Sequence, residues 1–225
     1  MITDYRYSHT TYSNLKKEDL CEYDCPNPTC GARRSTKYYS HYERHVISLT
    51  ADVLSAILDV DTQQTGIDLQ ALCDTSSELY KDTILDIYRV KCQSCDTTHA
   101  ILPGDVVPYR QYGLFTMLAV VKVMYHRECS IEKIAEHLQL SWQYMLGLLK
   151  QWISHLHAVA LIMRAVYQEF INEQATGARV RILSFVCEHR FNFPREYQKE
   201  HRNIIFMIHG QNHRGRKIML GMAMG

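Results

Sequence analysis

Apolar positions change their spacing repeatedly along this 225-residue chain, and each change predicts a different element. Residues 1–20 are polar and tyrosine-rich with no clear period, which predicts an extended arm. Residues 34–49 are dense in Tyr, Val, Ile and Thr, the aromatic and β-branched residues that suit a pleated strand. Residues 83–91 have the same character and read as a second strand. Between them Thr50 is a good N-cap, and apolar residues follow it at helical spacing. Gly66 breaks that pattern, and Ile67 to Tyr80 carries a second, weaker one. Residues 50–82 therefore read as a helical insertion at the tip of a hairpin. Pro103, Gly104 and Pro108 mark a loop.

From Tyr109 the text turns helical. Tyr112 to Tyr125 reads as an apolar helix, and its longest apolar stretch, Leu114 to Tyr125, is interrupted by Lys122 and too short to span a bilayer. Ser130 caps a short helix whose inner face is Ile131, Ile134, Ala135 and Leu138. Lys133 stands where a capping box would place Glu or Gln. After a turn at Gln139-Leu140, Ser141 caps a second helix with Met145, Leu148 and Trp152 inward. Small Ala135 allows the two to cross closely, the pattern of a helix-turn-helix, with Gln139 where glycine is usual. A plain helical hairpin fits the same spacing. The helix continues to about Gln174. Residues 179–187 read as a possible strand, and no fold is assigned to the rest of the tail.

Cysteine placement adds chemistry to this outline. Cys25 and Cys30 flank Pro-Asn-Pro-Thr, with Gly31 next, and Cys92 and Cys95 flank Gln-Ser. Two short turns of this kind present four thiolates tetrahedrally to Zn²⁺. A turn, a strand out, a strand back and a second turn make a zinc ribbon, over residues 21–49 and 83–108. Cys21, Cys73, Cys129 and Cys187 read as free thiols. Of these Cys21 is near enough to Cys25 to compete with it, and Cys73, beside Leu72, reads as a small buried hydrophobe. His99 reads as a packing or hydrogen-bonding neighbour of the metal. Eight cysteines with no apolar leader read as cytoplasmic thiols and ligands, not as disulfides.

Net charge is nearly zero, at +1, but unevenly spread. Residues 50–88 hold eight acids against Lys81 alone, and residues 176–225 hold nine Lys and Arg against three Glu. Such asymmetry points to different partners for different segments.

Cys-Pro…Cys-Gly, Tyr-Arg-Val-Lys-Cys-Gln-Ser-Cys, Thr-His-Ala-Ile-Leu-Pro…Val-Pro-Tyr and the paired helices together resemble a bacterial family of short zinc-ribbon plus helix-turn-helix proteins, described as a domain of unknown function. That family in turn resembles the front end of insertion-sequence transposases. The likeness covers roughly residues 25–49 and 83–155. It implies Cys25, Cys30, Cys92 and Cys95 as ligands and residues 141–151 as a DNA-reading helix. The segment 50–82 and the tail after about 185 depart from it.

The fold class expected is therefore α+β and mainly α. A discontinuous zinc ribbon carries a helical insertion and is followed by a helix-turn-helix domain over residues 109–175, with a basic segment over 176–225. The function expected is a zinc-containing protein of mobile-element or regulatory type that binds double-stranded DNA. Ser141, Gln143, Gly147, Lys150 and Gln151 would face outward, with Tyr144 at the edge and Trp142 either at that edge or in the core. A protein-interaction adaptor using the acidic residues 50–82 and the long helix is the alternative. No complete set of catalytic carboxylates is found, since the last aspartate is Asp105, so the reading is not an enzyme. The histidines His189, His201, His209 and His213, near Asn203 and Asn212, leave a nuclease as the lesser option.

Overall fold

The computed structural model of the protein describes residues 1–59, 67–76, 78–126 and 129–166. The expected strand at 179–187, Cys187, the histidine-rich text and the basic tail lie outside the described residues.

Among the described residues four strands form one mixed sheet: β1 (Ile2–Asp4), β2 (Thr36–Leu49), β3 (Tyr80–Cys92) and β4 (Thr98–Pro103), in the order β1-β4-β3-β2. β2 and β3 pair antiparallel along their whole length, from Thr36 opposite Cys92 to Leu49 opposite Tyr80, with a bulge between Tyr38 and Ser40. β4 turns back along β3, and β1 adds to β4 in parallel. The helices are α1 (Ala51–Leu58), α2 (Leu69–Thr75), α3 (Leu114–Tyr125), α4 (Ile131–His137) and α5 (Trp142–Val166). No helix among the described residues is long and apolar enough to cross a membrane.

A mainly α architecture closing on a helix-turn-helix domain is not what forms. The frame is the four-stranded mixed sheet, and the helices share one core that begins on it. Leu49 at the end of β2, Val53 and Ile57 of α1, and Leu79 beside β3 belong to the same buried cluster as Ile134, Leu138, Met145 and Trp152. The reason lies in α3. Every residue from Thr116 to Met124 is buried, so this helix is apolar all round and needs neighbours on every side. α1, α4 and α5 all pack against it. Residues of the acidic segment also complete α4, whose last carbonyls lack helical partners. Tyr80 Oη donates to Leu138 O at 2.6 Å, and Cys73 Sγ to His137 O at 3.3 Å. Cys73 is thus half-buried with a hydrogen-bonding task.

Residues 1–20 are not a loose arm. Ile2, Tyr12, Leu15 and Leu20 pack on the sheet with Ile87, Val90 and Leu102 in a second core. Their polar look hides this because backbone pairing and a few side chains carry the segment. Tyr12 Oη donates to Ile101 O at 2.7 Å, and His9 meets the Asp105 carboxylate with its backbone N–H at 2.7 Å and its ring Nδ1 at 2.6 Å. At Gly104 an added Cβ would meet the Tyr5 ring at 2.8 Å and the Tyr5 Cα at 3.1 Å, so only glycine lets the two segments cross. Asp4 is buried, pairs with Arg6 Nη2 at 2.8 Å, and accepts from Tyr23 Oη. Burial alone would raise its carboxyl, but the bonds from Arg6 and Tyr23 win and hold it below its ordinary 3.8.

A carboxylate whose folded pKa is depressed stabilises above its unfolded value and stops doing so as pH falls through the folded one. Asp4→Asn should therefore lower stability at pH 7 by about 1–3 kcal/mol, with the gap to wild type closing below about pH 4. Urea midpoints across pH 2–7 check this.

The turn between α4 and α5 supplies a second test. Leu140 N donates to Ala135 O and Gln139 N to Glu136 O, the two bonds of a Schellman ending, with Gln139 at φ +51° in the place where glycine is favoured. Gln139→Gly should stabilise the protein by about 0.5–1 kcal/mol, read as a higher urea midpoint at unchanged slope.

Candidate metal centre

The pairing of Thr36 with Cys92 brings the end of one cysteine turn beside the other. Thr36, itself buried, donates Oγ1 to Leu20 O at 2.6 Å and to Tyr23 O at 3.2 Å, and so ties the approach to Cys25 onto the sheet. In the first turn Cys30 N donates to Asn27 O at 3.0 Å and Cys25 N to Ala32 O at 2.9 Å. Gly31, at φ +60°, follows Cys30 in a conformation that a side chain would strain. In the second turn Cys92 N donates to Thr97 O at 2.9 Å and Asp96 N to Cys92 O at 3.0 Å.

The outcome is four sulfur atoms, of Cys25, Cys30, Cys92 and Cys95, all within 4.8 Å of one another. Cys25 and Cys95 stand 3.6 Å apart, and Cys30 and Cys92 3.8 Å. Four ligands at a Zn–S distance of about 2.3 Å on a tetrahedron are about 3.8 Å apart, so the spacing suits one ion. No disulfide joins them.

Around this group lies a shell that the cysteine spacing does not announce. Ser35 Oγ is 3.4 Å from Cys92 Sγ, Thr97 Oγ1 is 2.9 Å from Cys95 Sγ, and Asn27 Nδ2 donates to Cys95 Sγ at 3.7 Å. His99 Nε2 sits 3.6 Å from Cys25 Sγ and 2.9 Å from Thr97 Oγ1. Of these residues His99 alone stood out in the sequence; Asn27 and Thr97 each lie two positions from a cysteine, and Ser35 carries no such signal. Their effect is uneven. The Ser35 hydroxyl pulls the Cys92 thiol down to about 6, and the Thr97 hydroxyl lowers Cys95. Burial raises Cys25. For Cys30 the Ala32 N–H favours the thiolate, but burial and the neighbouring sulfurs outweigh it and push the thiol up to about 12. Four thiolates this close repel one another, and a divalent cation would let all four ionise together.

The other described cysteines lie elsewhere. Cys21 is exposed and bonds Glu18 O at 3.2 Å, and Cys129 is half-buried.

On α5, Ser141, Trp142, Gln143, Gly147 and Lys150 are exposed, while Met145, Leu148 and Trp152 are buried. Trp142, at 48% exposure, is not core. Ser141 Oγ accepts from Tyr144 N at 3.2 Å and caps the helix. Two of the named residues turn aside. Tyr144 packs against Tyr112 with ring centroids 5.0 Å apart and the rings tilted by 41°, and Gln151 Oε1 accepts from Arg110 Nη2 at 2.9 Å. Arg110 was not singled out by the sequence pattern.

One family model, described as a domain of unknown function (DUF6431), matches residues 73–139. The matched segment is under a third of the chain. It holds Cys92 and Cys95 but neither Cys25 nor Cys30, and it ends before α5. No curated protein and no solved structure matches the chain.

With a divalent ion bound, Cys25, Cys30, Cys92 and Cys95 should resist alkylation while Cys21 labels quickly. Mass mapping after a short iodoacetamide pulse checks this. Protection of Cys21 together with labelling of Cys25 would assign the ligands differently.

Proposed function

We propose that the protein is a cytoplasmic, zinc-containing DNA-binding protein. In this reading Cys25, Cys30, Cys92 and Cys95 hold one structural Zn²⁺, and the exposed side of α5 contacts double-stranded DNA. The observation that carries the DNA reading is the strip Ser141, Trp142, Gln143, Gly147 and Lys150, open to solvent on a helix whose opposite side is anchored by Met145, Leu148 and Trp152. Gln143 suits bidentate pairing with adenine, and Lys150 suits a phosphate. Around Gly147 nothing stands within 4 Å of an added Cβ, so a backbone could approach closely there. Zinc is favoured over other ions by four thiolates at tetrahedral spacing. A mobile-element or regulatory role belongs to this reading. A protein partner at residues 50–82 has less support, because Val53, Ile57 and Leu69 are already buried in the shared core.

Duplex DNA selected from a random pool tests the reading. Gln143→Ala should weaken binding to the preferred site by about 1–3 kcal/mol and relax preference at one base pair. Lys150→Ala should weaken binding to all sequences alike and reduce the salt slope by about one unit. Unchanged binding by the Gln143/Lys150 double variant across a salt titration would remove α5 from the interface.

A further inference from the structure

Next to the α5 strip is a turn with an unexpected occupant. Val107, Pro108, Tyr109 and Arg110 form it, with Arg110 N donating to Val107 O at 3.2 Å. Proline in second place and a positive φ in third are the pattern of a type II turn, which ordinarily takes glycine or asparagine in third place. Here that residue is Tyr109, at φ +61°. Its side chain does not offset the strain by burial: Tyr109 is 73% exposed, the highest value among the exposed large hydrophobic residues described.

The turn is nonetheless held firmly. Arg44 Nη2 donates to Val107 O at 2.7 Å and to Arg110 O at 2.6 Å, clamping both ends of it onto β2. Gln111 O accepts from Ile47 N at 2.9 Å, and Gly113 N donates to Ile47 O at 2.9 Å, so the following residues run along the same strand. Arg110 Nη2 then bonds Gln151 Oε1 on α5, one position after Lys150. Strain that the surrounding structure fixes in place, under an exposed aromatic ring, is a feature found at contact sites.

We propose that Tyr109 is a DNA-contact residue, its ring packing in the groove against deoxyribose and a thymine methyl beside the bases met by α5. Arg44 and Arg110 position it. Gln151 serves as the anchor for Arg110, not as a base reader. This inference rests on the proposed DNA reading of α5. An apolar ring contact with a thymine methyl is an ordinary element of groove recognition, and Lys150 supplies the neighbouring positive charge for the backbone.

The test uses the full-length zinc-loaded protein and the pool-selected duplex, with Tyr109→Gly, Tyr109→Phe and Lys150→Ala compared by anisotropy and by thermal midpoint. Glycine relieves the positive φ, so Tyr109→Gly should melt at or above the wild-type temperature while its affinity falls about tenfold. Tyr109→Phe should bind within about twofold of wild type. A merely structural tyrosine would move stability and affinity down together. If Tyr109→Gly binds as wild type while Lys150→Ala loses affinity, this inference falls and the α5 reading stands. Loss in Tyr109→Phe equal to that in Tyr109→Gly rules out the ring contact. If wild type binds no duplex at low salt, both readings fall.

Discussion

The pairing of β2 with β3 is the constraint on which the rest of this structure depends. Thr36 lies opposite Cys92, and Leu49 opposite Tyr80. A ladder of this length spans roughly 40 Å at the rise of an extended strand. One end brings together two cysteine turns that are remote in sequence. The other delivers α1 and Tyr80 to the helical core. Closing so long a loop is only modestly more costly than closing a short one, because the entropy grows with the logarithm of length. Burial of Leu85, Ile87 and Val90, all at or near zero exposure, opposes that cost along the strand. A slip of one residue would turn these side chains to solvent and would also part Cys30 from Cys92.

Two cores meet along this hairpin, and they are built differently. The sheet-side core uses β1, two short 3-10 turns (Tyr12–Asn14 and Lys17–Glu22) and the strands. Much of its specificity is polar, through Tyr12 Oη on Ile101 O, Thr36 on Leu20 O and the Asp4–Arg6–Tyr23 group. The helical core is apolar packing around α3. One buried cation enters it, Lys122, whose Nζ donates to Leu58 O at 2.8 Å near the end of α1. A lysine there serves a helix C-terminus, where a positive charge is favourable.

The cysteine centre and α5 stand toward opposite ends of the hairpin, which separates their tasks. A metal at the cysteine end would lock the open end of a long two-stranded ribbon, where pairing alone is weakest. The helical end, held by α3, presents the exposed side of α5 and the strained turn at Tyr109. Arg44 of β2 reaches that turn, so the hairpin also orients the surface proposed to meet DNA.

What the sequence determined by itself was local. Strand character over 34–49 and 83–91, the helix start after Thr50, the caps at Ser130 and Ser141, and the paired cysteines were all readable, because each follows from residue type and short spacing. The turn at Gln139-Leu140 was legible too, while the left-handed backbone of Gln139 was not, because its residue type ran against it. Tertiary structure decided the remainder. β1 and the burial of Tyr12, Leu15 and Leu20 were invisible, since a short edge strand in polar text carries no period of its own. β4 was hidden by the Pro and Gly that close it. That Val53, Ile57 and Leu69 of the segment 50–82 share the helical core was decided by α3, which is buried on every side and gathers the apolar surface near it. His99 was readable as a neighbour of the cysteine group, but the approach of Ser35 to Cys92 follows from the register of β2 and β3, and the link from Arg110 to Gln151 from the packing of α5 beside the turn.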